Sequence, residues 1–445
     1  MDSQDLSRHL FVKDPKLPLL CFERGEGIYL YESSGERIID ASGGPMLVNI
    51  GHGRPEVAEA GYEAMKKLTY ILPVFLSEHR MKLSDLVASR FPEHTNRVYF
   101  CSGGSEAVES AIKFSRQYHL VKGNTGKYRM LSRKLSYHGN TIACVSLTGV
   151  EERRKSFLPM LSDTPLVEPC YCYRCPFDKS YPGCDMECAQ DLETKIKKLG
   201  PDTVAAFFME PVVASAAGAT VPPPEYFPII REICDRYDVL LVADEVVTGF
   251  GRTGVPMGMD NFGVSPDITT FAKGVSGGYA PMAGMIVKDE LAEAFEEVGQ
   301  DFQSIFSFSS HPMCCAIAAK VQETIDEEGL IDHAREMGEY LGERLERIRD
   351  LPHVGDVRGI GMLRAVEFVK DKDTKEPFPS GNTMNMKVIF NAAANGVLFY
   401  PGYYSEQYGC GDHVMISPPF IITKEEVELV VSVLEDAIIE VAGEQ

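Results

Sequence analysis

Lys273 closes an apolar run and is followed at once by small residues, in the stretch ITTFAKGVSGGYAPMAG from Ile268 to Gly284. A lysine held where water is scarce loses its proton more easily, and its neutral amine is a nucleophile. The glycines after it leave room for a flat molecule. The plain alternative is a surface lysine before a turn. Three further strand ends carry groups that an ordinary core excludes. Asp244 lies in the apolar run LLVADEVV, where a carboxylate needs a cation or hydrogen bonds. A protonated ring nitrogen would serve, and so would Arg252 of GFGRTG. Glu210 ends the apolar run FFMEPVV, where hydrogen bonds to loop amides are its simplest use. CSGGSE, from Cys101 to Glu106, puts glycines between a strand and a helix start. Free N–H groups and the helix dipole favour an anion there, a phosphate for example. The stretch lacks the Gly-Lys-Ser/Thr ending of a P-loop.

One cofactor uses all of these parts. Pyridoxal phosphate has an aldehyde for a lysine, a ring nitrogen for an acid, and a phosphate for a glycine-rich helix start. Tyr137, in SYHGNT, offers a face on which the ring could stack, or else an ordinary core side chain.

The elements that must position these groups alternate in type. RVYFCSG reads as a strand and SEAVESAIKFSRQYHL as a helix with Ser105 as its N-cap. TVAAFFMEPVV, VLLVADEVV and DITTFA read as buried strands, and PEYFPIIREICDRYD as a helix. Strands alternating with helices imply an α/β unit with a mostly parallel sheet, and unbroken apolar strands imply a sheet covered on both faces. From about Val321 charged amphipathic helices precede VRGIGMLRAVEFV, which reads as a strand, and TKEEVELVVSVLEDAI closes the chain as a helix. GIYLYESSGERIIDAS reads as a hairpin that joins this second, α+β domain.

At 445 residues the chain is too long for one simple core. Its formal net charge of −21 argues against nucleic acid or an anionic membrane surface as partner. The polar start MDSQDLSRHL and the lack of a long apolar run predict a cytoplasmic protein. Five of twelve cysteines, Cys170, Cys172, Cys175, Cys184 and Cys188, crowd into CYCYRCPFDKSYPGCDMEC. Their spacing approaches that of a structural zinc site, but it is irregular and no histidine joins it. The expectation is a reduced thiol cluster and no metal.

Together, CSGGSEAVESAIK, SYHGNT, MEPVV, DEVVTGFGRTG, FAKGVSGGYAP and FSFSSHP resemble the class III pyridoxal-phosphate aminotransferases, in that family's order along nearly the whole chain. LVNIGHGRPEV and GDHVMISPPFIIT extend the resemblance to the ω-amino acid:pyruvate branch. It implies a fold-type-I enzyme, with a large domain of mostly parallel sheet at 66–320 and a small α+β domain built from 1–65 and 321–445. Lys273 would form the Schiff base and shuttle the proton. Asp244 would hold the pyridinium, Gly104 and Ser105 the phosphate, and Tyr137 and Val246 the two ring faces, with Glu210 ordering the Asp244 side. Ser307 would reach the phosphate of a neighbouring subunit, which implies a homodimer with shared sites. The reaction implied is ping-pong transfer of an amino group from a primary amine or amino acid to a 2-oxo acid such as pyruvate. A racemase, aminomutase or decarboxylase on the same scaffold is the alternative, with a metal-binding role for the cysteines as a possible addition.

Three substrate-facing places depart from the family. Met46 stands where a tryptophan is usual and Phe308 where a tyrosine is. Tyr408 takes the place of the arginine that grips the acceptor's carboxylate, and no arginine follows Arg364. His413 and Arg364 are the substitutes nearest in sequence.

Overall fold

The computed structural model describes residues 20–406 and 408–443, so the polar amino terminus lies outside the described residues. A seven-stranded sheet runs, in spatial order, through Thr95–Cys101, Ala283–Lys288, Ile268–Phe271, Leu240–Asp244, Val204–Met209, Arg129–Arg133 and Leu166–Val167. From Ile268–Phe271 to Leu166–Val167 every pairing is parallel. Ala283–Lys288 alone runs against both of its neighbours. The carboxyl ends of Thr95–Cys101, Arg129–Arg133, Val204–Met209, Leu240–Asp244 and Ile268–Phe271 therefore share one edge.

The unbroken apolar runs are buried at every residue of Val204–Met209 and Leu240–Asp244. Alternation sends their side chains to opposite faces. Ala206, Phe208 and Val242 pack with Val108, Ala111 and Phe114 of the helix Gly104–Val121. Phe207, Met209 and Leu241 pack with Leu192 and Ile196 of Glu187–Leu199 and with Phe227 and Ile230 of Tyr226–Arg236. Each fully buried phenylalanine contributes about 1.5–3 kcal/mol of transfer free energy, so both faces anchor the edge where the polar groups emerge.

Two four-stranded sheets flank this unit. One contains Phe22–Glu26, Tyr29–Glu32, Arg37–Asp40 and Val397–Leu398, so it joins early and late parts of the chain. The other contains Val354–Ile360, Leu363–Phe368, His413–Ile416 and Tyr400–Pro401. VRGIGMLRAVEFV is thus two strands, not one. Ile360 pairs with Leu363 across a two-residue turn in which Gly361 has φ +55°. A side chain there would meet the Thr253 backbone at 2.3 Å. Strand-like residues on both sides of so short a turn hid it in the sequence.

The expected domain boundaries, 65/66 and 320/321, each fall inside a helix, Pro55–Lys67 and Pro312–Glu327. Among the described residues no helix is long and apolar enough to cross a membrane.

Candidate active site

The shared edge of the sheet opens onto a cavity of about 240 Å³. Its lining includes Gly104, Ser105, Tyr137, Glu210, Asp244, Val246, Lys273 and Met46, eight of the residues singled out in the sequence. A larger cleft of about 390 Å³ runs from Tyr171 to Arg364. Its charged groups are already occupied: Arg358 pairs with Asp356 and Glu367, and Arg364 donates to the carbonyls of Gly338, Gly359 and Gly361.

Lys273 follows the strand Ile268–Phe271 by two residues and has φ +46°, a sparsely populated region for any residue but glycine. The turn is held by N–H groups of Ser276 and Gly277 donating to its carbonyl. Burial pushes the Lys273 amine down to about 8, Asp244 offsets this in part, and the Arg252 charge adds to the depression. A substantial neutral fraction near pH 8 follows. The glycines after it play another part than the one expected. A Cβ on Gly274 would stand 2.5 Å from Asn49 Nδ2, and one on Gly278 would stand 2.4 Å from Leu47 Cδ1. They admit neighbouring protein, and none of them lines the cavity.

Asp244 is the last residue of its strand and is buried. Its Oδ2 lies 2.8 Å from His138 Nδ1, and its Oδ1 accepts from Val246 N–H at 3.1 Å and Thr270 Oγ1 at 3.3 Å. Arg252 is not its partner. That guanidinium donates to Met362 O, Pro418 O and Asn49 Oδ1. His138 Nε2 in turn meets Ser132 Oγ at 3.0 Å. With the proton on Nδ1, the imidazole donates to Asp244 and accepts from Ser132. His138 sits inside SYHGNT, yet only contact with a distant strand end reveals its use.

Glu210 Oε1 accepts the Tyr137 N–H at 3.1 Å, a strand-end bond to a loop amide. Its Oε2 is buried without a hydrogen bond, 3.6 Å from Arg133 Nη2. Burial raises its pKa, with His138 and Arg133 opposing.

The helix Gly104–Val121 begins two residues earlier than the sequence suggests, with Gly103 rather than Ser105 as N-cap. Ser105 Oγ instead accepts the Asn140 N–H at 3.0 Å, tying the Tyr137 loop to the helix start. A Cβ on Gly104 would come within 3.1 Å of Val246 Cγ1, so glycine lets this wall close up. The first two residues of this 18-residue helix, Gly104 and Ser105, line the cavity, and the first N–H groups of a helix have no partner within it. A depressed lysine, a buried carboxylate, a helix start and two flanking side chains in one cavity fit pyridoxal phosphate. In that fit Lys273 would meet the aldehyde, Asp244 the ring nitrogen, and Gly104 and Ser105 the phosphate.

Three expected residues stand elsewhere. Ser307 and Phe308 are exposed and do not line the cavity of their own chain. The Ser307 carbonyl accepts from Tyr70 Oη at 2.8 Å, and Phe308 meets the Tyr70 ring edge-on. Tyr408 donates to Glu168 Oε2 at 2.6 Å and is not on the cavity wall. Tyr400 and Tyr403 line it instead, their hydroxyls 3.1 Å apart. The only sequence signal for them is the aromatic run FYPGYY.

Cys170, Cys172, Cys175, Cys184 and Cys188 surround one small void of about 20 Å³ on the far side of Tyr171. All are free thiols, and among the described residues no group of three or more His, Cys, Asp or Glu is arranged to hold a metal ion.

Residues 11–438 match the family model for class III aminotransferases. The chain is 36% identical over 441 residues to an uncharacterized aminotransferase of Schizosaccharomyces pombe, covering 98% of this chain and 96% of that one. It is 36% identical over 409 residues to a putrescine–pyruvate aminotransferase of Pseudomonas aeruginosa, covering 91% and 87%. An (S)-enantioselective omega-transaminase from Thermomicrobium roseum superposes with a TM-score of 0.91 at 35% identity, over 98% and 97% of the two chains. The family match and the shared fold extend along nearly the whole length: the chain belongs to the class III aminotransferases and depends on pyridoxal phosphate.

Proposed function

We propose that this aminotransferase takes the amino group from the terminal primary amine of its donor and delivers it to a small 2-oxo acid such as pyruvate. The observation that carries this reading is the likeness to the putrescine–pyruvate aminotransferase along nearly the whole chain. A wall of Met46, Val212 and Ala214, with the rings of Tyr400 and Tyr403, suits the uncharged methylene chain of such a donor.

When bound, pyridoxal phosphate supplies a carbonyl for exchange with amines and a ring that draws electron density from the reacting carbon. The chain's own residues do the rest. Lys273 Nζ, partly neutral near pH 8, would serve as the base that takes the proton from that carbon and as the acid that gives it back. Asp244, oriented by the His138 N–H, would hold the ring nitrogen and favour its protonated form. The helix start and Ser105 would hold the phosphate, while Tyr137 and Val246, which line the cavity, would flank the ring and keep water from its faces.

We further propose a homodimer. Tyr70, Leu72, Val74, Phe75 and Leu76 are exposed together with Ile305 and Phe308, and Tyr70 links the two segments. A contiguous apolar face of this kind is covered in soluble proteins by a partner. Ser307, on the same face, would then reach the partner's phosphate. The two-lobe division remains our reading of the organisation, with the seven-stranded sheet at the heart of the larger lobe.

A panel of donors against several 2-oxo acids, with products identified, tests the substrate reading. Putrescine or another ω-amine with pyruvate should yield alanine as the fastest pair. Activity confined to α-amino donors, or to 2-oxoglutarate, would overturn it.

A further inference from the structure

A 2-oxo acid brings a carboxylate into the cavity, and a buried carboxylate needs a counter-charge or several donors. Among the lining residues Lys273 is the only lysine or arginine, and it is reserved for the reaction itself. The neighbouring arginines are committed. Arg133 donates to the Glu210 carbonyl, and Arg154 to the carbonyls of Val145, Ser146 and Thr148. Arg252, Arg358 and Arg364 are bound as described above. His413 does not substitute for them: burial pushes its imidazole down to about 3, so it is neutral at pH 7.

Arg153 differs from all of these. Its guanidinium carbon lies 4.1 Å from the centre of the Tyr403 ring and 5.8 Å from that of Tyr137, and both rings line the cavity. Among the described residues its guanidinium makes no ion pair, unlike Arg129, Arg133 and Arg174, although Glu151 and Glu152 precede it directly in the chain. Its placement comes from the turn after Gly149, the same segment in which Arg154 is pinned by three carbonyls. Next to it, the Tyr400 and Tyr403 hydroxyls meet at 3.1 Å; one donates to the other, and the second O–H is left as a donor. An arginine fork presents two parallel N–H groups that match a carboxylate, and stacking on an aromatic face leaves that edge free.

We propose that Arg153 recognises the carboxylate of the acceptor, with the Tyr400–Tyr403 hydroxyl pair completing the polar end of the cavity. This rests on the reading of the acceptor as a 2-oxo acid. Arg153 thus sets specificity for the second half of the reaction, and the donor half, with an amine that carries no carboxylate, does not use it.

The test compares wild type with Arg153→Met and Arg153→Lys after a putrescine-type donor has loaded the holoenzyme with its amino group. For Arg153→Met, kcat/KM for pyruvate should fall about 10- to 100-fold, chiefly through KM, the range for a lost hydrogen-bonded ion contact. Butyraldehyde, an acceptor without a carboxylate, should be used as before. Calorimetry should show oxamate, a non-reacting carboxylate, binding the resting holoenzyme more weakly by a similar factor. Arg153→Lys should recover part of both. Equal losses for pyruvate and butyraldehyde, or unchanged pyruvate use and oxamate binding, would overturn the proposal. A wild-type enzyme that loads with amine but ignores every 2-oxo acid would overturn the acceptor reading itself, and is told apart because it fails before any variant is made.

Discussion

Asp244 has three hydrogen-bond partners within its own fold, and His138 at 2.8 Å is the nearest. That cage lets an Asp244→Asn variant keep its shape while losing the charge. Cofactor should still bind, and turnover should fall about 10²–10³-fold, the scale for removing one preorganised electrostatic contact. Steady-state kinetics beside cofactor titration separates the two effects, and near-normal turnover would make Asp244 a structural residue. Lys273 carries a pH signature. Burial holds it down to about 8 in the folded chain, below the ordinary lysine value of 10.5, so between these values the unfolded chain binds more protons and stability rises with pH. In the apoenzyme, Lys273→Met should therefore be the more stable protein below pH 8, by up to about 3 kcal/mol. The gap should close as pH rises toward 10.5. Urea midpoints at pH 7 and pH 10 check this, and a gap independent of pH would show an ordinary lysine. Lys273, Asp244 and Glu210 were legible in the sequence because a charge at the end of an apolar strand demands a reason. His138, Tyr400 and Arg153 were not, since their meaning arises only where distant segments cross.

The elements were readable where their periodicity was simple. The strands ending at Met209, Asp244 and Phe271 emerged as unbroken apolar runs, and the helix Tyr226–Arg236 from its amphipathic spacing. The hairpin at Gly361 was lost because two strands joined by a two-residue turn look like one. Ser105 was read as a cap because capping and loop-tying use the same hydroxyl, and only the fold assigns it to Asn140. Tyr408 matches the family's arginine only by its place in the stretch before GDH, and its hydroxyl turns to Glu168 instead. The cysteine-bearing segment carries its own prediction. Five thiols share a void of about 20 Å³ without metal-ligand geometry. Elemental analysis of protein prepared without chelator should find far less than one zinc per chain. Stoichiometric zinc that disappears on mutating Cys172 and Cys175 would show that the thiols close around a metal.

At the scale of the whole molecule, the parallel pairing of Arg37–Asp40 with Val397–Leu398 draws the two ends of the chain together beside the large sheet. This brings Met46 from the early part of the chain and Tyr400 and Tyr403 from the late part into a cavity whose floor is the sheet edge. The exposed apolar face around Tyr70 and Phe308 predicts a dimer in sedimentation equilibrium, and a fully active monomer would contradict that. The central claim is that one site stores an amino group between two half-reactions. It is tested most directly by mixing the holoenzyme with an amine donor and no acceptor, following the cofactor's absorbance and the released carbonyl product. The expected result is one equivalent of carbonyl product per site, a spectrum that stays converted, and its full return with one equivalent of amino acid when pyruvate is added. Continuous turnover of the donor without acceptor, or release of carbon dioxide or racemised donor in place of the carbonyl product, would contradict it.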